Sequence, residues 1–169
     1  GNNLMSREQL MSRIVEYARS CGQFDPEVLR DGFELIHLHR MIEQLVEENL
    51  AEKGICLRLV EIMECLFHHP DGVMTPADLS EEVNLSRSAM TSALDSLEKL
   101  GYAMRRPHPV DRRMFEISLT ESGRSFIGGL LPERYEKMIR IMEATGEEER
   151  AMLLRTYHKI FNMLKAELA

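Results

Sequence analysis

Ser86-Arg87-Ser88-Ala89-Met90-Thr91-Ser92-Ala93-Leu94-Asp95-Ser96-Leu97-Glu98-Lys99-Leu100-Gly101 reads as one amphipathic helix with a signal at each end. Met90, Ala93, Leu94, Leu97 and Leu100 recur at helical spacing on one face, and Arg87, Ser88, Thr91, Ser92 and Asp95 lie opposite, near the start. The Ser86 hydroxyl is placed to cap the first turn and Gly101 to stop the last. Upstream, Thr75-Pro76 opens a two-turn helix whose inward side is Ala77, Leu79 and Val83, and Asn84-Leu85-Ser86 is a tight turn. A short helix, a turn and a second helix with small polar side chains at its exposed beginning form a helix-turn-helix.

Immediately after Gly101 the helical period stops. Tyr102 to Arg106 reads as a strand, and Pro107-His108-Pro109-Val110-Asp111-Arg112 as a loop kept extended by two prolines. Arg113 to Leu119 returns as a second strand, with Phe115, Ile117 and Leu119 on one side. The hairpin is a wing, and the expectation is that Arg105, Arg106, Arg112 and Arg113 crowd its tip.

Further out, the pattern is helical. Residues 4–20 make a short amphipathic helix ended by Cys21-Gly22. Asp25-Pro26 starts another that runs to Ala51, about 25 residues or close to 40 Å. That length exceeds what one lobe needs to cover its core and points to packing against another chain. Ile55 to His68 is apolar on too many sides for a surface helix and is expected to be buried, with Cys56 and Cys65 as small core hydrophobes. Thr120 caps a helix to Leu131, Pro132 is expected to restart the chain into another to Ala144, and Glu147-Glu148-Glu149 opens a last helix. The expected fold is mainly α with a small β-hairpin wing: terminal helices at 1–54 and 126–169 bracketing a winged helix-turn-helix lobe at 55–125.

Composition bounds the function. Across 169 residues, 44% hydrophobic and 29% charged side chains allow an ordinary core, and disorder is excluded. The chain lacks an apolar run long enough for a membrane span and a signal-peptide layout, so a cytoplasmic protein is expected. The net charge of −7 argues against indiscriminate binding to a polyanion, yet residues 86–124 are locally basic. A basic face on an acidic body still neutralises phosphates where it touches them. Cys21, Cys56 and Cys65 have no metal spacing and cannot pair completely within one chain, and His37, His39, His68 and His69 are poorly spaced to share an ion. No phosphate loop, zinc motif or nucleophile elbow is present, so no catalytic residue, cofactor or metal is assigned.

The run Gly101-Tyr102-Ala103-Met104-Arg105-Arg106-Pro107-His108-Pro109-Val110-Asp111-Arg112-Arg113, followed by Ile117-Ser118-Leu119-Thr120-Glu121-Ser122-Gly123, resembles the wing signature of MarR-type transcriptional regulators. Leu79, the Asn84-Leu85-Ser86 turn and the Leu94 to Gly101 helix end match in spacing. The resemblance covers about residues 55–125. It implies an obligate homodimer of interlocked terminal helices, two lobes facing one DNA duplex, and a pocket between the helical region and each lobe where small-molecule effectors act. The helix at residues 4–20 is additional to the layout of many family members.

On this reading Ser88, Thr91 and Ser92 suit base edges in a major groove, Arg87 a guanine edge or phosphate, and the capping Ser86 belongs to the same DNA-binding face. Arg113 is the minor-groove candidate, pre-positioned by Asp111, with Arg112 on a phosphate and Arg105 and Arg106 flanking. The operator is then an inverted repeat with half-sites about 34–36 Å apart. The resemblance implies repression relieved by an effector. Two other readings are a winged-helix module for protein-protein contact and a thiol-based redox-sensing regulator.

Overall fold

Ser6 starts the first helix, α1 (Arg7–Cys21), through a reciprocal cap: its hydroxyl accepts from Gln9 N at 3.1 Å, and the Gln9 side chain accepts from Ser6 N at 2.9 Å. Asp25 opens α2 (Pro26–Ala51) by accepting from Glu27 N, with Pro26 at the first helical position. These helices belong to the first of two compact units, which ends at Leu57; the second runs from Arg58 to Ala169. The computed structural model describes residues 4–23 and 25–169. Within the first unit α1 folds back on α2, burying Met11, Val15 and Ala18 and joining the helices by Arg7–Glu34 at 3.1 Å and Arg30–Glu8 at 2.6 Å. Much of the apolar surface of α2 stays open, including Ile42 at 61% and Leu45 at 63% exposure.

In the second unit, α3 (Leu57–His68) buries Leu59, Val60, Ile62, Met63 and Leu66. Ile55 and Cys56 precede this helix rather than opening it, and Cys56 is exposed, contrary to the expectation of a core thiol. The strand β1 (Val73–Met74) follows, two residues to which the sequence reading assigned no element. Thr75 caps α4 (Pro76–Glu82), and Ser86 caps α5 (Arg87–Lys99) by accepting from Ala89 N at 3.2 Å. Asn84 takes φ +54° in the turn between them, a left-handed conformation that Asn tolerates better than most residues. Leu79, Met90, Leu94 and Leu97 are fully buried, whereas Leu100 and Ala77 are exposed instead of facing inward.

The wing is β2 (Ala103–Pro107) and β3 (Phe115–Leu119), antiparallel, with Arg105 opposite Ile117. β1 pairs along the other edge of β3, giving the sheet order β1-β3-β2. The side chain of Ile117 is buried against the lobe and Phe115 is half-exposed. A tight junction then launches α6 (Glu121–Ala144). Thr120 accepts from Gly123 N at 3.0 Å and donates its hydroxyl to Gly101 O at 2.5 Å, while its own N–H bonds Tyr102 O. A Cβ on Gly123 would lie 2.0 Å from Tyr102 O, so only glycine allows this approach.

Pro132 does not restart the chain. α6 runs through it, because the proline sits on the exposed side while Leu130 and Leu131 beside it are buried, and the residue four positions earlier is Gly128. Burial of those leucines outweighs one missing backbone hydrogen bond. α7 (Glu147–Glu167) opens with three glutamates in its first turn and buries none of its 21 residues.

Candidate nucleic-acid interface

The first turns of α5 present their polar face to solvent because the opposite face is spent on the core. Ser86, Arg87, Ser88, Thr91 and Ser92 are all exposed. Thr91 donates its hydroxyl to Arg87 O at 3.0 Å, which leaves its oxygen lone pairs outward, and the Ser88 hydroxyl lies 3.3 Å from that of Ser86. Arg87 and Ser92 make no side-chain hydrogen bond or ion pair among the described residues. The result is a row of short hydroxyls with one free guanidinium, on a rigid helix.

The wing loop is held by its own histidine. His108 Nδ1 accepts from Val110 N at 3.2 Å and Asp111 N at 3.1 Å, so Nδ1 is unprotonated and the ring proton sits on Nε2. His108 N also bonds Met114 O, and Met114 N bonds Asp111 O. Asp111 is thereby fixed, and its Oδ1 accepts from Arg113 N at 3.0 Å and Arg113 Nε at 3.3 Å. The Arg113 side chain is 91% exposed, so its two terminal nitrogens point into open solvent with four unused donors. Arg106 and Arg112 are exposed beside it.

Arg105 is not at the tip. It lies within β2 and reaches back to α5, with Nη2 2.7 Å from Asp95 and Nε 2.7 Å from Glu98. Its side chain is 30% exposed and its charge is neutralised twice over. It therefore ties wing to helix. The sequence reading missed both this tie and the His108 staple; the first spans seven to ten residues, and the second lies between two prolines where only the loop conformation reveals it.

The thiols do not form a cluster. Cys21 and Cys56 are exposed and Cys65 is half-buried. Burial pushes the Cys65 thiol above the usual range, and Glu82, Glu64 and Glu61 push it further in the same direction. A thiolate there is disfavoured, which removes the chemical ground for redox sensing at this residue. Among the described residues no group of histidine, cysteine or acidic side chains is arranged to hold a metal ion, and no helix is long and apolar enough to cross a membrane.

Comparison with known proteins agrees with this geometry. The model of the MarR family matches residues 55–115. The HTH-type transcriptional repressor YetL of Bacillus subtilis is 26% identical over 151 residues, 89% of this chain and 90% of that protein. The HTH-type transcriptional regulator PecS of Dickeya dadantii is 32% identical over 151 residues, 88% of this chain and 91% of that protein. Among solved structures, a complex of S. aureus MepR with DNA superposes with a TM-score of 0.70 at 18% identity, covering 78% of this chain and 96% of that one. A helix-turn-helix and wing in this register, matched by the family model and aligned with PecS over nearly its whole length, place the chain in the MarR family of transcriptional regulators.

Proposed function

We propose that the protein is a homodimeric repressor that reads an inverted-repeat operator in double-stranded DNA and lets go when a small molecule binds. The observation that carries this reading is the wing tip, where a carboxylate holds Nε of Arg113 and leaves both terminal nitrogens free on a side chain 91% exposed. A guanidinium fixed in this way enters a narrow minor groove with little further loss of freedom. Ser88, Thr91 and Ser92 on α5 face base edges in the adjacent major groove, and the first turn with Ser86 and Arg87, together with Arg106 and Arg112, meets phosphates. Arg105 positions the wing. The relative YetL is named a repressor and the MepR structure contains DNA, which supports the direction and the partner.

Dimerisation follows from surface that one chain cannot cover. On α7, Met152, Leu154 and Phe161 are 61–63% exposed, and on α6 Ile139 and Ile141 are similarly open. Patches of this kind are buried by partners. The terminal segments, 1–54 and 126–169, supply the helices that the partner covers, and 55–125 the reading lobe. Operator binding places the protein's work in the cytoplasm, and the role is recognition without catalysis.

Selection of bound fragments from random duplex DNA, followed by fluorescence anisotropy, tests the reading. The selected fragments are expected to share an inverted repeat. Affinity is expected to fall by about a thousandfold or more between 50 and 200 mM salt, and the Arg112→Ala, Arg113→Ala double variant to lose binding. Binding by that variant at parental affinity would remove the wing from the interface.

A further inference from the structure

We propose that a cavity of about 440 Å³ in the second unit, lined by residues of α3, β1, α4 and α6, binds an amphiphilic organic monocation, with its charge facing Glu64 and Glu82 and its apolar body against Tyr135 and Met74. A volume of this size suits a small organic ligand. Glu64, Cys65 and His68 come from α3, Met74 from β1, Glu82 from α4 and Tyr135 from α6, so four elements converge on it. Among the described residues, no lysine or arginine lines it.

The aromatic wall is already organised. Tyr135 donates its hydroxyl to Glu64 Oε2 at 2.5 Å. Its single proton being committed there, the contact of 2.9 Å with His68 Nε2 has the imidazole donating. The two rings stack with centroids 6.2 Å apart and planes 19° apart. Glu82 is exposed and makes no ion pair among the described residues. The sign of the field is registered by the groups inside: Glu82 and Glu64 both act to keep the neighbouring Cys65 thiol protonated.

These features select the ligand class. A carboxylate ligand would meet two carboxylates, offset among the described lining residues only by the imidazoles of His68 and His69, the first bonded to Tyr135 and the second accepting from Asp71 N. A metal ion would need three or more converging donors, and no such set is present among the described residues. An ammonium group satisfies Glu64 and Glu82, and the tyrosine face and the methionine accept the hydrocarbon attached to it. The consequence for DNA rests on the function proposed above: a ligand that competes for Glu64 loosens its link to Tyr135, and with it the spacing of α3 and α6.

Calorimetry on the full chain without DNA tests the site, using benzyltrimethylammonium chloride, sodium benzoate and benzyl alcohol as probes. The cation is expected to bind saturably at one site per chain, the anion and the alcohol not to bind, and Glu82→Gln to weaken the cation about tenfold with an unchanged thermal melt. Equal binding of benzoate, parental affinity in both Glu82→Gln and Glu64→Gln, or no heat from the cation up to about 10 mM would overturn the assignment. Anisotropy with selected duplex tests the coupling separately. Release of DNA by the cation from the parent but not from Glu82→Gln supports it, and silence there with calorimetric binding intact overturns only the coupling. Failure of the unliganded protein to bind DNA strikes the function above and leaves the calorimetric result standing.

Discussion

Three single residues set how firmly the lobe and its wing are held. Gly123 has no freedom to change, because a Cβ would sit 2.0 Å from Tyr102 O and the obstacle is backbone. Gly123→Ala is expected to destabilise the fold by about 3 kcal/mol or more, read from urea unfolding. Asp111 acts more gently. Asp111→Ala frees Arg113 and the loop without touching the core, so the melting temperature should hold while DNA affinity drops by up to about fivefold, as for other exposed pairs. Tyr135 offers a spectroscopic handle, since burial first and the Glu64 hydrogen bond second push its hydroxyl up to about 12. Its ionisation should appear in an absorbance titration above the ordinary tyrosine range, and Tyr135→Phe should remove that phase. The sign of the linkage follows from that elevation. Below about pH 10 the stabilisation by Tyr135 is complete; as pH rises toward about 12 the unfolded chain releases its proton first and the stabilisation is lost. The difference in stability between the parent and Tyr135→Phe should therefore shrink over that interval and be constant below it.

Among the elements, α5 and the wing behave as one body because Arg105 reaches from β2 to both Asp95 and Glu98. Arg105→Ala is expected to cost about 1 kcal/mol of stability and to lower DNA affinity less than Arg113→Ala does, since the two carboxylates already neutralise it; paired melting and anisotropy measurements separate the two effects. The same elements show why some of the architecture was legible. Asp25-Pro26, Thr75-Pro76, Ser86 and Thr120 announce helix starts through chemistry confined to one turn, and each caps a helix as expected. The Asp111–Arg113 contact spans two residues and was legible for the same reason. β1 was not, because a two-residue strand exists only through its pairing of Val73 with Ser118 and Met74 with Ile117, far along the chain. Pro132 misled because the local penalty of a proline is plain in the sequence, whereas the burial of Leu130 and Leu131 that overrides it depends on the assembled lobe. The cavity beside Tyr135 was equally hidden: Glu64 and Tyr135 are 71 positions apart.

At the scale of the whole molecule, an acidic total of −7 accompanies a lobe that carries exposed guanidinium groups on α5 and the wing. The acidic excess of residues 1–85 disfavours indiscriminate contact with DNA and leaves the basic lobe face as the favoured point of docking. Assembly is the other property of this scale. With Phe161 62% and Leu154 61% exposed on a helix that buries nothing in its own chain, the melting temperature should rise with protein concentration. Phe161→Glu should give a monomer by sedimentation and a chain that unfolds at lower temperature. A 21-residue helix with no buried position has a further outcome for the cell. Two chains must meet before the apolar face of this helix is covered and an operator is read, so at low abundance occupied operators should track the square of synthesis rate, and a modest cut in expression should silence the regulator disproportionately.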